Sequence, residues 1–199
     1  HFVAGFDWTN LNDNGYLLVQ RAIAWAMGDD IKSSGTRILF VVGNGSTPNA
    51  RDSGKKSLME SWGYEVALFD DDADELTFKE SIQGIDVVYV SGSVAATSIL
   101  AKFGETAIPL VNEARDLKAD YGFSENEGYN ATYNALTTDN SHYITEPFAG
   151  GGVIPFTSNI LMWTLNGTMS DDLMHAGQIV SAVTVLATLD AGDRRWDGP

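Results

Sequence analysis

The chain has 199 residues, enough to bury a real core, with 44% hydrophobic and 20% charged side chains. Twelve basic residues against 27 acidic ones leave a formal charge of −15, which repels phosphate backbones and anionic headgroups and argues against nucleic-acid or membrane-surface partners. Cysteine is absent, which excludes disulfides, thiolate metal sites and a cysteine nucleophile, and no apolar run reaches the length of a membrane span.

The opening HFVAGF reads as the interior of a β-strand, and LNDNGYLLVQRAIAWAMG as an amphipathic helix that Gly28 stops. Thr36 to Gly43 (TRILFVVG) is a continuous apolar run ending in glycine, the pattern of a buried parallel strand. A polar turn follows, NGSTPN, and then a helix in RDSGKKSLMESWG with Leu58, Met59 and Trp62 on one face. Tyr64 to Phe69 is a second strand, DDDADE caps a helix carrying Leu76, Phe78 and Ile82, and Ile85 to Val90 is a third strand. SGSVAATSILAKFG supplies a third turn and helix, and Ile108 to Val111 a fourth strand. Strand and helix thus alternate at short spacing from residue 36 to residue 112, which predicts right-handed βαβ units and a parallel sheet covered on both faces.

After Asn112 the character changes. EARDLKADYGFSENEGYNATYNALTTDN reads as mostly loop; HYIT, GVIPF, NILMWTL and QIVSAVTVLATL, separated by Gly, Pro and Asn, read as short strands. Without an internal repeat or a low-complexity linker, the simplest organisation is a single domain over residues 1–199. Within it, residues 1–28 form an added strand–helix unit, 36–112 the βαβ core and 113–199 a loop and β-rich portion.

RILFVVGNGS, WGYEV, DVVYVSGSV and IPLVNEA, with HYITEPFAGG further on, resemble the flavodoxin-like modules related to class I glutamine amidotransferases and to ThuA-like (trehalose-utilisation) proteins, which occur in large secreted bacterial proteins. The resemblance covers about two-thirds of the chain and rests on fold signatures. It implies an α/β, flavodoxin-like doubly wound parallel sheet with an additional β-rich C-terminal portion. The family's modules tend to end in A-T-L, a turn, another strand and a last helix. Here VLATLDAGDRRWDGP closes the chain while HFVAGF and the first helix open it, so the N-terminal strand and helix read as circularly permuted, or as completing a neighbouring copy. On that reading His1, Phe2, Val3 and Phe6 in the opening strand, with Arg194, Arg195 and Trp196 near the join, are the interface residues.

The expected function is a non-catalytic structural module of an extracellular or cell-surface protein that associates head to tail with copies of itself, as a filament subunit or one unit of a tandem repeat. The alternatives are a hydrolase with a serine nucleophile, or a carbohydrate-binding module using exposed aromatic residues. Amidotransferase-like enzymes place their nucleophile on the turn after the third strand, where this chain has Ser91-Gly92-Ser93; Ser93 would need a histidine base, with His142 or His175 as candidates, and polar residues opening a helix are the plainer account. Gly43 to Asn49 lies where flavodoxins cradle the FMN phosphate, but a tight βα connection explains it as well, and no cofactor is expected. Asp70, Asp71, Asp72 and Asp74 offer hard oxygen ligands that suit Ca²⁺ without the EF-hand spacing; against this stands a solvated helix cap. Asn44, Asn130 and Asn166 head N-x-S/T sequons and are the glycosylation candidates, and glycans are the other partner considered.

Overall fold

The computed structural model describes residues 8–28, 35–103, 108–114, 117, 129–132, 134–137, 141–148, 153–155, 162–165 and 187–189, the strands beyond residue 128 through their backbone alone. By its internal contacts the chain divides into two compact units, one holding Phe2–Thr9 and Gln20–Leu117, the other chiefly Asn10–Val19 and Lys118–Pro199. The boundary near Leu117 lies close to the change of character read after Asn112.

The first of these units is the parallel sheet. Its strands are β1 (Arg37–Val42), β2 (Glu65–Asp70), β3 (Val87–Val90) and β4 (Leu110–Asn112), in the order β2-β1-β3-β4 with every pairing parallel. This is the flavodoxin-like order, and the α/β class read from the alternation holds. β1 and β3 are the inner strands, and Ile38 to Val42 and Val87 to Val90 are buried at each position, as unbroken apolar runs in a two-sided sheet must be.

Three helices run between these strands: α2 (Ala50–Ser61), α3 (Glu75–Ser81) and α4 (Ala96–Phe103); α1 (Asp13–Ala26) precedes them, its Val19, Ile23 and Ala24 buried. Asn49 caps α2 by accepting the Arg51 and Asp52 N–H groups, and Asp74 caps α3 by accepting that of Thr77. Gly63, at φ 92°, ends α2 and turns the chain into β2. The register puts Ile38, Phe40, Val87 and Tyr89 on one face, with α2, and Phe69 on the other, where its ring meets Phe78 of α3 edge-on at 5.5 Å. Trp8, in a short 3-10 turn (Trp8–Asn10), is 1% exposed; it stacks on Trp62 at 5.9 Å and meets Tyr89 edge-on at 5.5 Å. The opening strand, residues 1–6, lies outside the described residues, as do Arg194, Arg195 and Trp196.

The other unit is β-rich, as expected, but its strands begin earlier. The stretch read as mostly loop contains β5 (Tyr129–Thr132) and β6 (Asn134–Thr137). β5 pairs antiparallel with β8 (Met162–Leu165), and β6 lies between β7 (Val153–Pro155) and β9 (Ala187–Leu189), antiparallel to both. Asn and Ala are poor strand formers, and partners 17 to 54 residues away in register supply the ladder that local preference does not. HYIT, expected as a strand, is instead a turn leading into a 3-10 helix at Glu146–Phe148. The His142 carbonyl accepts the N–H groups of Thr145 and Glu146, and its Nδ1 accepts that of Ile144, so the chain folds back on itself rather than extending.

Candidate functional site

In an open α/β sheet the ligand crevice lies beyond the carboxyl ends of the strands, where the strand order reverses. Here that place lies between β1 and β3, and the loops leaving these strands are Gly43 to Asn49 and Ser91 to Ala95. Gly43 is required by a close approach: a Cβ there would sit 2.6 Å from the Ser93 carbonyl oxygen. Bare backbone lets the two loops touch, and the Gly43 N–H donates to Ser93 Oγ at 3.1 Å.

Asp52, on the first turn of α2 and 1% exposed, organises the rest. Its Oδ1 accepts the hydroxyl of fully buried Ser91 at 2.6 Å; its Oδ2 accepts the Ser93 hydroxyl at 2.7 Å and the Asn49 amide at 2.6 Å. The Ser93 N–H turns back to Ser91 Oγ at 3.3 Å. Among the described residues, neither Ser91 nor Ser93 bonds a histidine. The Ser93 hydroxyl thus gives its proton to the Asp52 carboxylate while its oxygen receives the Gly43 N–H, which ties the two loops to α2. His142 is placed in its local turn, within the β-rich unit, and His175 lies outside the described residues.

Further donors of this loop and of the first turn of α2 are engaged in the same way. Gly45 N–H goes to Asp70 Oδ2 at 2.8 Å, Thr47 N–H to Asn44 Oδ1 at 2.7 Å, and the Arg51 and Asp52 N–H groups to Asn49 Oδ1. A phosphate cradle needs these N–H groups pointing outward and unclaimed. The cleft here, about 380 Å³ and lined by Asn49, Ala50, Arg51, Asp52 and Ser93, has a carboxylate in its wall instead.

The acidic turn after β2 is similarly committed. Asp70 accepts Gly45 N–H, the main influence holding its carboxyl below the ordinary 3.8; Asp72, hydrogen-bonded to Asp70, is raised above it. Asp71 is buried and accepts the Ala95 N–H, while Lys102 Nζ donates to its carbonyl oxygen, tying the turn to α4. Asp74 caps α3, and its bonds to Thr77 lower its carboxyl. Among the described residues no group of three or more His, Cys, Asp or Glu is arranged to hold a metal ion. Of the sequon residues, Asn44 is exposed in the first loop, Asn130 lies in β5 and Asn166 falls outside the described residues.

A second polar cluster lies on the same face of the sheet. Lys55 Nζ meets Glu113 Oε1 at 2.5 Å with both side chains wholly buried, and lies 5.7 Å from the centre of a Trp8 ring. Tyr89 closes against the same group: burial first, and then the Glu113 carboxyl, push its phenol well above the ordinary value of 10.0. Sequence reasoning missed Asp52, Lys55 and Glu113. The signal was present in α2, whose buried positions are Asp52, Lys55 and Met59, a helical stripe with two charges in it. Buried charge on such a stripe requires partners from elsewhere in the fold.

No protein-family model matches the chain, and no curated protein matches it. Among solved structures there is partial similarity to the pyridoxal-5'-phosphate dependent protein YhfS from Escherichia coli, at 18% identity and TM-score 0.35. The alignment covers 52% of this chain and 28% of that one.

Proposed function

We propose that this chain is a non-catalytic structural module of an extracellular or cell-surface protein, associating with copies of itself, and related to the amidotransferase-like and ThuA-like modules that its βαβ segments resemble. One observation carries the non-catalytic part of this reading. At the crevice where such a sheet ordinarily does its chemistry, Ser91, Ser93, Asp52, Asn49 and the Gly43 and Asp52 N–H groups are bonded to one another. Groups held by internal partners stabilise a connection, and each would have to break a bond to meet a substrate.

The packing of Trp8 supports the same conclusion. Trp8 is packed against Trp62 and Tyr89 rather than presented as a sugar-stacking platform. The charge of −15 suits a surface exposed to cations and solvent.

The test is the denatured mass of the native polypeptide, followed by electron microscopy of undenatured material. Filaments or tandem masses support the reading, and a monomer at high concentration sinks the self-association. Serine-hydrolase activity that is abolished by Ser93→Ala in a still-folded protein would overturn the non-catalytic part.

A further inference from the structure

The sequons stand in different settings. Asn130-Ala131-Thr132 lies wholly within β5, each residue paired in register with β8, and Asn166 falls outside the described residues. Asn44-Gly45-Ser46 occupies the loop after β1, with Asn44 and Ser46 both exposed. The Asn44 side chain is held by one end alone: Oδ1 accepts the Thr47 N–H at 2.7 Å and the Thr47 hydroxyl at 3.1 Å. A backbone N–H can be met only by the carbonyl end of an amide, so Thr47 fixes which end is which and sets Nδ2 on the far side. Among the described residues nothing bonds that Nδ2 or the Ser46 hydroxyl. Asn49, in the same loop, differs: its Oδ1 caps α2 and its Nδ2 donates to Asp52, so both ends are committed. An N-linked sugar replaces one hydrogen of Nδ2 and leaves Oδ1 able to accept, so the Asn44 turn survives the modification unchanged.

We propose that Asn44 carries an N-linked oligosaccharide, standing at the mouth of the crevice beyond β1 and β3. The inference rests on the extracellular reading above and deepens it. In the transfer, Asn44 Nδ2 loses a proton and bonds the anomeric carbon of the sugar. The bond that breaks joins that carbon to a phosphate oxygen of a lipid diphosphate carrier, which leaves with the electron pair. Ser46 supplies the hydroxyl at the position the sequon requires. The inward side of the same loop is already occupied, Gly43 N–H by Ser93 and Gly45 N–H by Asp70, so the sugar grows outward from a braced base. A hydrated glycan there screens the cleft lined by Asn49, Arg51 and Ser93 and keeps this end of the sheet out of contacts between copies.

The experiment is peptide mass spectrometry on the native, source-derived protein. Trypsin releases Ile38–Arg51, in which Asn44 heads the sole sequon. The expected result is that this peptide carries sugar in most molecules, placed on Asn44 by electron-transfer fragmentation. Ser46→Ala, produced in the same source, keeps the Asn44 side chain and its turn, and is expected to bring occupancy from most molecules to none. A bare Ile38–Arg51 peptide in the native protein overturns the proposal, whatever the peptides holding Asn130 and Asn166 carry. So does sugar found on Ser46 or Thr47 in place of Asn44. Location is measured separately, with a membrane-impermeant amine reagent on intact cells. Labelled protein with a bare Asn44 overturns the glycan and leaves the extracellular reading standing; protein that the reagent does not reach overturns that reading itself. Should Ser46→Ala fail to fold, the native peptide alone decides.

Discussion

Asp52 joins the loops after β1 and β3 to α2, so its removal orphans several donors at once. Asp52→Ala leaves the buried Ser91 hydroxyl and the Ser93 and Asn49 donors without their acceptor, at an expected cost of about 2–4 kcal/mol in urea unfolding. Ser93→Ala removes one half-buried partner and costs about 1 kcal/mol. Gly43→Ala is the sharper probe of the loop contact. Its Cβ would clash with backbone at 2.6 Å, and a loss of about 1–3 kcal/mol is expected from the forced separation. A Gly43→Ala variant as stable as the wild type would mean that the loops are not held together as described. Little of this was legible beforehand. The sequence marks Ser91, Ser93 and the glycine as turn residues, but hydroxyls and carboxylates 39 and 41 residues apart meet only because β1 and β3 are neighbours.

The helices show where local chemistry is sufficient and where it is not. Asp74 falls in the acidic run that the sequence marks as a cap, Asn49 in the polar turn before α2, and the helices begin beside them. Asn49→Ala is expected to cost about 1 kcal/mol for the cap alone, and more if its amide bond to Asp52 counts; a change below the error of a urea titration would contradict the assigned cap. Asp70 and the cap Asp74 pull the pH profile one way, and Glu113, whose carboxyl burial raises above 4.5 so that its contribution is lost as the pH rises through its folded value, pulls it the other. Asp70 and Asp74 titrate below 3.8 in the fold, so their contribution is present above that value and is lost as the pH falls through their folded values. Stability should therefore rise as the medium is acidified toward 4.5 and fall again below 3.8, a maximum detectable in urea midpoints across that range. A profile that only falls on leaving neutral pH would contradict the Glu113 arm. The element boundaries were close to expectation where runs were apolar on both faces, and β5 and β6 were hidden because Tyr, Asn, Ala and Thr carry no such run.

At the scale of the whole chain, stability concentrates in the inner strands. Amides of Ile38 to Val42 and Val87 to Val90 should exchange with solvent most slowly, since β1 and β3 are bonded on both sides and covered on both faces. Faster exchange there than in the edge strand β2 would contradict the sheet order. The net charge of −15 adds a general term. Salt raised from about 0.01 to about 0.15 M shortens the screening length from about 30 to about 8 Å, so the urea midpoint at neutral pH should increase as self-repulsion weakens.

The sequence by itself determined the α/β class, the positions of the four parallel strands, the acidic cap of α3 and the excess of negative charge. Those properties follow from the order of residues along short stretches: apolar runs of strand length, polar caps, glycine stops. Only the tertiary structure decided that Lys55 and Glu113 are a buried pair 58 residues apart, and that the serines of the third turn answer to a carboxylate on α2. It likewise decided that the described strands of the second half pair as two antiparallel sheets. Partnership between distant polar groups is set by which strands lie side by side, and that is fixed by the joint burial of the whole apolar core, not by the residues that come to meet.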